Sequence, residues 1–147
     1  METYKFDVII IGAGIVGLAI AHKLSKKCDN ILLVEKESSF GRHVSSRNSE
    51  VIHSGIYYDP NSLKAKLCIE GNRIMYDFAQ EHQIDHKKCG KFIVIPSEQD
   101  IDRLEILMQN GIDNGLEGLQ MFTAAEVSKR EPQIKSAGAL YVPSSGI

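Results

Sequence analysis

The stretch "FDVIIIGAGIVGLAIAHKL", Phe6–Leu24, decides the architecture. Phe6 to Ile11 is apolar apart from Asp7 and ends in a β-branched run, the pattern of a central parallel strand buried on both faces. Gly12, Gly14 and Gly17 follow in G-x-G-x-x-G spacing, and an apolar helix continues to about Lys26 and Lys27, whose charges suit a helix C-terminus. Each glycine serves a distinct physical need. Gly12 allows a tight turn, Gly14 allows close approach of a pyrophosphate, and Gly17 allows close helix–strand packing. The helix N-terminus, beginning at Ile15, presents free N–H groups and the positive end of a dipole to a phosphate.

The spacing alone is weak, but the context strengthens it. "NILLVEK", Asn30–Lys36, reads as a second strand. Glu35 stands at its end, 18 residues after Gly17, where a carboxylate can accept both hydroxyls of an adenosine ribose. A 2′-phosphate would meet a like charge there, which disfavours NADP. Lys36 adjoins the same site. The fold class is therefore α/β, with a Rossmann-type βαβ unit.

An ADP-binding unit serves NAD and FAD alike, and the residues after Lys36 separate the two. An NAD domain would continue into another helix and strand. Instead "ESSFGRHVSSRNSEVIHSGIYY", Glu37–Tyr58, is irregular and rich in Ser, Gly and Arg. Small side chains bring backbone N–H groups close to a ligand, and hydroxyls bond to it. Arg42, His43, Ser45, Arg47, Asn48 and Ser49 are accordingly candidate FAD-binding residues, with Arg42 and His43 either near the ADP portion or simply solvated loop residues. Arg47 has three readings: the FAD pyrophosphate, a substrate carboxylate, or solvent. His53 is the candidate catalytic base, able in its neutral form to take the proton of a 2-hydroxyl as hydride leaves carbon; its alternative is a core histidine satisfied by backbone partners. Tyr57 and Tyr58 read as packing residues.

The runs "IIGAGIVGLAIAHKL", "GRHVSSRNSEVIHSGIYYDPNSLKAKLCIEGNRIMYDF", "CGKFIVIP" and "REP" resemble the L-2-hydroxyglutarate dehydrogenases/oxidases. That family belongs to the D-amino-acid-oxidase-like group of FAD enzymes, which also holds glycerol-3-phosphate dehydrogenases. The resemblance runs from Asp7 to Ile147. It implies FAD as cofactor, oxidation of L-2-hydroxyglutarate to 2-oxoglutarate, and oxygen or a quinone as electron acceptor. Glycerol 3-phosphate or an amino acid is the alternative substrate, and a non-catalytic flavin-binding fragment the alternative of a different class. Glu50 departs from the family pattern, which carries glycine there. The resemblance also implies a chain that is the N-terminal portion of a longer protein, inactive in isolation, with only two strands of the nucleotide-binding sheet legible. Residues 1–83 read as part of the FAD-binding domain and 84–147 as the incomplete beginning of a mixed α+β substrate-binding domain.

Composition bounds the rest. The chain has 147 residues, 43% hydrophobic and 24% charged, enough to build a core. A net charge of -2 without any basic run speaks against nucleic acid as a partner. Cys28, Cys68 and Cys89 are odd in number and scattered, which fits a reducing compartment, and His22, His82 and His86 show no metal-ligand spacing. The apolar run Val8–Ala21 is shorter than the roughly 18–20 residues of a membrane span and is interrupted by glycines. The first strand starts too early for a transit peptide. The expected location is cytoplasmic, and the resemblance permits peripheral contact with the inner face of a membrane.

Further along, Asp59-Pro60 should open a helix to about His82, with Leu67, Cys68, Ile74, Met75 and Phe78 in the core. Lys91–Ile95 reads as a strand after a turn at Gly90. Ser97 and Asp100 suggest a capped helix to Asn110 closed by Gly111, and Asn114-Gly115 a turn. Thr123 and Glu126 form a capping box for a short helix ending before Pro132, and "ALYVP" is a strand.

Overall fold

The computed structural model describes residues 3–147. By packing the chain divides at Ser49/Glu50 into two compact units. The first is the βαβ unit: β1 (Val8–Ile11), α1 (Ile15–Leu24) and β2 (Ile31–Val34). β1 and β2 pair in parallel, Val8 opposite Ile31 through Ile11 opposite Val34. The turn between β1 and α1 needs Gly12, whose φ of +101° is a conformation that L side chains rarely adopt. A Cβ on Gly17 would collide with the Gly12 carbonyl, so that glycine sets how closely α1 approaches the turn.

β1 reads as buried on both faces of a complete sheet, and in this chain, which carries two strands of that sheet, it is covered only in part. Ile10 and Ala13 are buried, but Ile9 and Ile11 are exposed, Ile11 by 88%. A parallel sheet is covered only when elements lie on both faces. Here two strands have one helix following them, and α1 itself buries no residue, leaving Ile15, Val16 and Ile20 exposed.

The second unit is built on α2 (Leu63–Glu81), β3 (Lys91–Ile95), α3 (Ile101–Asp113), β4 (Gln120–Thr123), α4 (Ala124–Arg130) and β5 (Gly138–Val142). Its sheet is antiparallel in the order β3-β5-β4, so β5 is central, and four of its five residues are buried. Ile56, Ile95, Leu104, Leu140 and Val142 form the core, with Ile93, Leu107, Met108, Leu116 and Leu119 packed around them. The capping box is present: Thr123 and Glu126 satisfy each other's backbone N–H, and α4 ends at Arg130.

Two local expectations change. α2 starts at Leu63 rather than at Pro60, because Asn61 takes a left-handed φ of +66° and Ser62 caps the helix by accepting from Ala65 N–H at 3.1 Å. It closes in a Schellman arrangement, with Gln83 left-handed and Ile84 N–H donating to Ala79 C=O at 2.8 Å. α3 does not stop at Gly111 but runs to Asp113. Gly111 is buried where a Cβ would press on Leu119, and the left-handed Gly115 follows the helix end instead.

The assignment of the large apolar residues of α2 to the core is also corrected. Leu67 and Ile74 are each 57% exposed, Met75 and Phe78 are exposed as well, and Cys68 is only half-buried. The buried residues of the helix are Ala65, Asn72 and Ala79, a seven-residue step along one face. Small side chains let the helix approach its unit closely, and the bulky residues are turned to the other side.

Asn72 is only 8% exposed, and its amide donates to the His53 carbonyl at 3.0 Å and the Ser144 carbonyl at 2.9 Å. Asn72→Leu keeps the volume and removes both bonds. In the full-length protein it should lower unfolding stability by about 1–3 kcal/mol, the His53 carbonyl losing its amide donor while the Ser144 carbonyl keeps the Tyr76 hydroxyl. Denaturant titration monitored by far-UV circular dichroism checks this, and an unchanged midpoint refutes it.

Candidate functional site: a nucleotide cradle and a pinned histidine segment

The glycine turn and the end of β2 meet in the first unit. Glu35 accepts from Ala13 N–H at 2.7 Å through one carboxylate oxygen and from Glu37 N–H at 3.0 Å through the other. These two bonds, that to Glu37 first, hold the Glu35 carboxyl below the usual carboxylate range. Gly14 is the N-cap of α1 and has no side chain to cap it, so the helix N-terminus stays open at that position. Ser45 reaches back from the irregular segment, and its hydroxyl accepts from Ile15 N–H at 2.9 Å. Gly41 N–H donates to Ala13 C=O at 2.8 Å. The irregular segment is thus folded against the glycine turn within its own unit.

The remaining candidates of that segment divide into two groups. His43 opens a short 3-10 turn, His43–Ser46, with φ +58°, and its Nε2 lies 3.0 Å from Glu37 Oε1. That bond is the main reason the Glu37 carboxyl is held below its ordinary range. Lys36 Nζ lies 3.7 Å from the same oxygen, and Asn48 donates to Ser45 C=O at 3.2 Å. By contrast, Arg42, Arg47 and Ser49 are exposed, and among the described residues their side chains make no hydrogen bond or ion pair. The structure therefore gathers Gly12, Gly14, Ile15, Gly17, Glu35, Lys36, His43, Ser45 and Asn48, and leaves those three at the surface.

These residues suit an ADP-bearing cofactor on structural grounds. The turn offers backbone without side chains, Gly14 adds no capping side chain of its own although Ser45 takes the Ile15 N–H, and a carboxylate is oriented by two backbone N–H groups.

His53 lies in the second unit. Its side chain is exposed, and the backbone carbonyl rather than the imidazole is what the interior satisfies: Asn72 donates to it at 3.0 Å, and the Cys68 thiol lies 3.6 Å away. Two residues on, Gly55 has φ +90°, and a Cβ there would press on Ile69 at 3.0 Å. Ile56 is fully buried in the core, and Asn110 donates to its carbonyl at 2.6 Å. Asn110 and Asn114 both donate to the Tyr58 carbonyl, at 3.0 and 2.8 Å. Ile52 bridges to Gly146 in antiparallel fashion. His53 and Cys68 also line a mainly apolar cavity of about 410 Å³ with Leu67, Met75 and Ile84.

Sequence reasoning missed the three asparagines and the role of Glu37. Asn110 and Asn114 stand four apart on α3, on one helix face, and that spacing was the available signal. Nothing in the sequence pointed to the carbonyls they serve.

A βαβ turn with an oriented carboxylate, followed by an irregular segment folded over the glycine turn, defines a flavin-type nucleotide-binding chain. The chain belongs to the FAD dependent oxidoreductase family, whose model matches residues 7–147. It is 47% identical over 143 residues to the mitochondrial L-2-hydroxyglutarate dehydrogenase of Arabidopsis thaliana, covering 97% of this chain and 30% of that protein. The human mitochondrial L-2-hydroxyglutarate dehydrogenase is 42% identical over 148 residues, covering 99% of this chain and 32% of that protein. Among solved structures, the dithionite-reduced L-alpha-glycerophosphate oxidase of Mycoplasma pneumoniae with FAD bound matches with a TM-score of 0.88 and 33% identity, over 98% of this chain and 39% of that one. Glycine oxidase of Geobacillus kaustophilus follows with a TM-score of 0.83 and 25% identity, over 98% of this chain and 40% of that one. The chain spans about a third of the length of the curated relatives it matches.

Glu35→Ala in the full-length protein should weaken FAD binding roughly 10- to 100-fold, the range for losing hydrogen bonds to a charged group. Isothermal titration of the apoprotein with FAD reads this directly. Equal FAD affinity in wild type and variant would remove Glu35 from the site. The depressed carboxyls of Glu35 and Glu37 also carry a sign: what they add to stability is fully present above their ordinary value of 4.5 and is lost as pH falls through the lower folded values.

Proposed function

We propose that this chain is the N-terminal third of an FAD-dependent dehydrogenase or oxidase that converts L-2-hydroxyglutarate to 2-oxoglutarate. The observation that carries the proposal is the 47% identity to a L-2-hydroxyglutarate dehydrogenase across 97% of the chain. The glycerol-3-phosphate alternative is favoured by one observation, the TM-score of 0.88 to the glycerophosphate oxidase at 33% identity. Both substrates are small dianionic alcohols, and the same residues would serve either.

In this reading Gly12 and Gly14 form a turn without side chains that the pyrophosphate can approach, Ile15 starts the helix there with its N–H held by Ser45, and Gly17 keeps α1 close. Glu35 holds the adenosine ribose. Ser45, Asn48, Ser49, His43 and Lys36 line the way from ribose to pyrophosphate, and Arg42 and Arg47 are free to turn toward phosphate or substrate. FAD, when bound, supplies the acceptor for a hydride from the carbon that bears the hydroxyl. His53 takes the hydroxyl proton on a ring nitrogen, so the C–H electron pair leaves as hydride, the C–O bond becomes a carbonyl, and the imidazole ends protonated. Oxygen or a quinone then removes the electrons. Residues 1–83 would serve the cofactor and 84–147 would begin the substrate-binding part. This functional division differs from the packing boundary at Ser49/Glu50, because α2 packs with the second unit. The location is part of the same proposal: cytoplasmic, or peripheral on the inner face of a membrane. Among the described residues no helix is long and apolar enough to cross one.

His53→Gln in the full-length enzyme should retain FAD and slow flavin reduction by about 10²–10⁴-fold, the usual range for general base catalysis. Stopped-flow bleaching with L-2-hydroxyglutarate, and with glycerol 3-phosphate in parallel, measures it. Near wild-type reduction by the variant rejects His53 as the base, and a wild-type flavin that neither compound bleaches rejects the substrate class.

A further inference from the structure

The segment that carries His53 ends in two adjacent tyrosines, and each has a lysine ammonium over its ring. Lys91 Nζ lies 4.4 Å from the centre of Tyr57, and Lys64 Nζ lies 4.3 Å from the centre of Tyr58. Lys64 is exposed, on the first turn of α2. Lys91 is different. It is the first residue of β3, fixed opposite Val142 of the central strand, and it is half-buried. Burial pushes its ammonium below the ordinary lysine range, with the nearby Cys68 acting in the opposite sense. Cys68, which feels the charges of Lys64 and Lys91, has its thiol 3.6 Å from the His53 carbonyl. Lys91, Tyr57, Cys68 and the backbone of His53 therefore lie near one end of α2.

Among the described residues no carboxylate lies within ion-pair distance of Lys91. A half-buried ammonium is normally paired, since desolvation disfavours the charged form. The Tyr57 ring offsets part of that penalty through its quadrupole and fixes where the charge sits. It leaves the ammonium protons free to donate to an incoming anion.

We propose that Lys91, positioned by Tyr57, binds the second anionic group of the substrate, the one remote from the carbon that reacts at His53, and so selects dianionic over monoanionic hydroxy acids. The inference rests on the proposed function in taking a small dianionic alcohol as substrate. A hydrophobic site for a monoanion would have no use for a lysine here. Lys64 adds an exposed positive charge at the same end and would draw the dianion in without holding it.

The test separates binding from turnover. Glutarate and butyrate share an aliphatic carboxylate and differ by the second one, and neither has a hydroxyl to oxidise. Their binding to the full-length holoenzyme is read from perturbation of the flavin absorbance. Wild type should bind glutarate roughly 10- to 100-fold more tightly than butyrate, the range for one charged hydrogen-bonded contact. Lys91→Gln should abolish that preference by weakening glutarate alone, and Lys91→Arg should restore most of it. Tyr57→Leu should weaken glutarate by a smaller factor. Equal loss of both ligands in Lys91→Gln, or no loss of either, overturns the proposal. Wild type that binds both equally overturns it without any variant, should Lys91→Gln fail to fold. A flavin bleached by no hydroxy acid while glutarate selectivity still depends on Lys91 would sink the assigned reaction and leave the anion site standing.

Discussion

Six consecutive residues, His53 to Tyr58, belong to no helix or strand, yet three of them are buried. A buried irregular backbone has carbonyls that no ladder satisfies, and each must find a partner or cost about 1–3 kcal/mol. The second unit meets this constraint with amide side chains. Asn72 from α2 serves His53, and Asn110 and Asn114 from α3 serve Ile56 and Tyr58. Ile56 drives its side chain into the core between the sheet and α3, which fixes the segment by packing as well. The imidazole of His53 is left outside, on backbone held at both ends. Its position is thus a consequence of the core of the second unit, and a substitution at Asn72 or Asn110 should disturb the site without touching any ligand.

The last four residues belong to the same system. Ile52 and Gly146 exchange two backbone bonds, at 2.7 and 3.1 Å, and Ile147 and Lys87 exchange two more, at 2.7 and 3.0 Å. Asn72 and Tyr76 both donate to the Ser144 carbonyl. The stretch after β5 therefore lies between the approach to His53 and the approach to β3. The approaches to His53 and to Lys91, at the start of β3, are therefore tied together through the backbone of this stretch.

What could be read from the sequence was local chemistry. The βαβ unit was legible because each glycine, and the carboxylate at the end of β2, has a role set by backbone geometry within about thirty residues. The Thr123–Glu126 box and the strand Lys91–Ile95 were legible for the same reason. What escaped was decided by distant neighbours. β4 has only four residues, Gln120–Thr123, and exists through its pairing with β5. Gly111 looked like a helix end because glycine usually is one, whereas here it makes room for Leu119. The apolar side of α2 looked like a core face, but the helix buries Ala65, Asn72 and Ala79 instead. At the site, Glu35 was readable from its place at the strand end, while the asparagine clamps were not, since an asparagine carries no sign of which carbonyl it will meet.

Glu50 shows how far a residue pattern and a backbone shape can be separated. The resemblance leads one to expect glycine here, and the glutamate adopts a left-handed φ of +57°. An L side chain in that conformation costs on the order of 1–2 kcal/mol, the penalty that glycine avoids. Ile52, two residues later, is fixed by its bridge to Gly146, so the chain direction at Glu50 is set by bonds that do not involve its side chain. A left-handed backbone at an exposed position is what a glycine would suit there. That argument places the constraint on segment 50–58 in its carbonyls and its turns, and leaves His53 as the residue whose side chain is free to be chosen for chemistry.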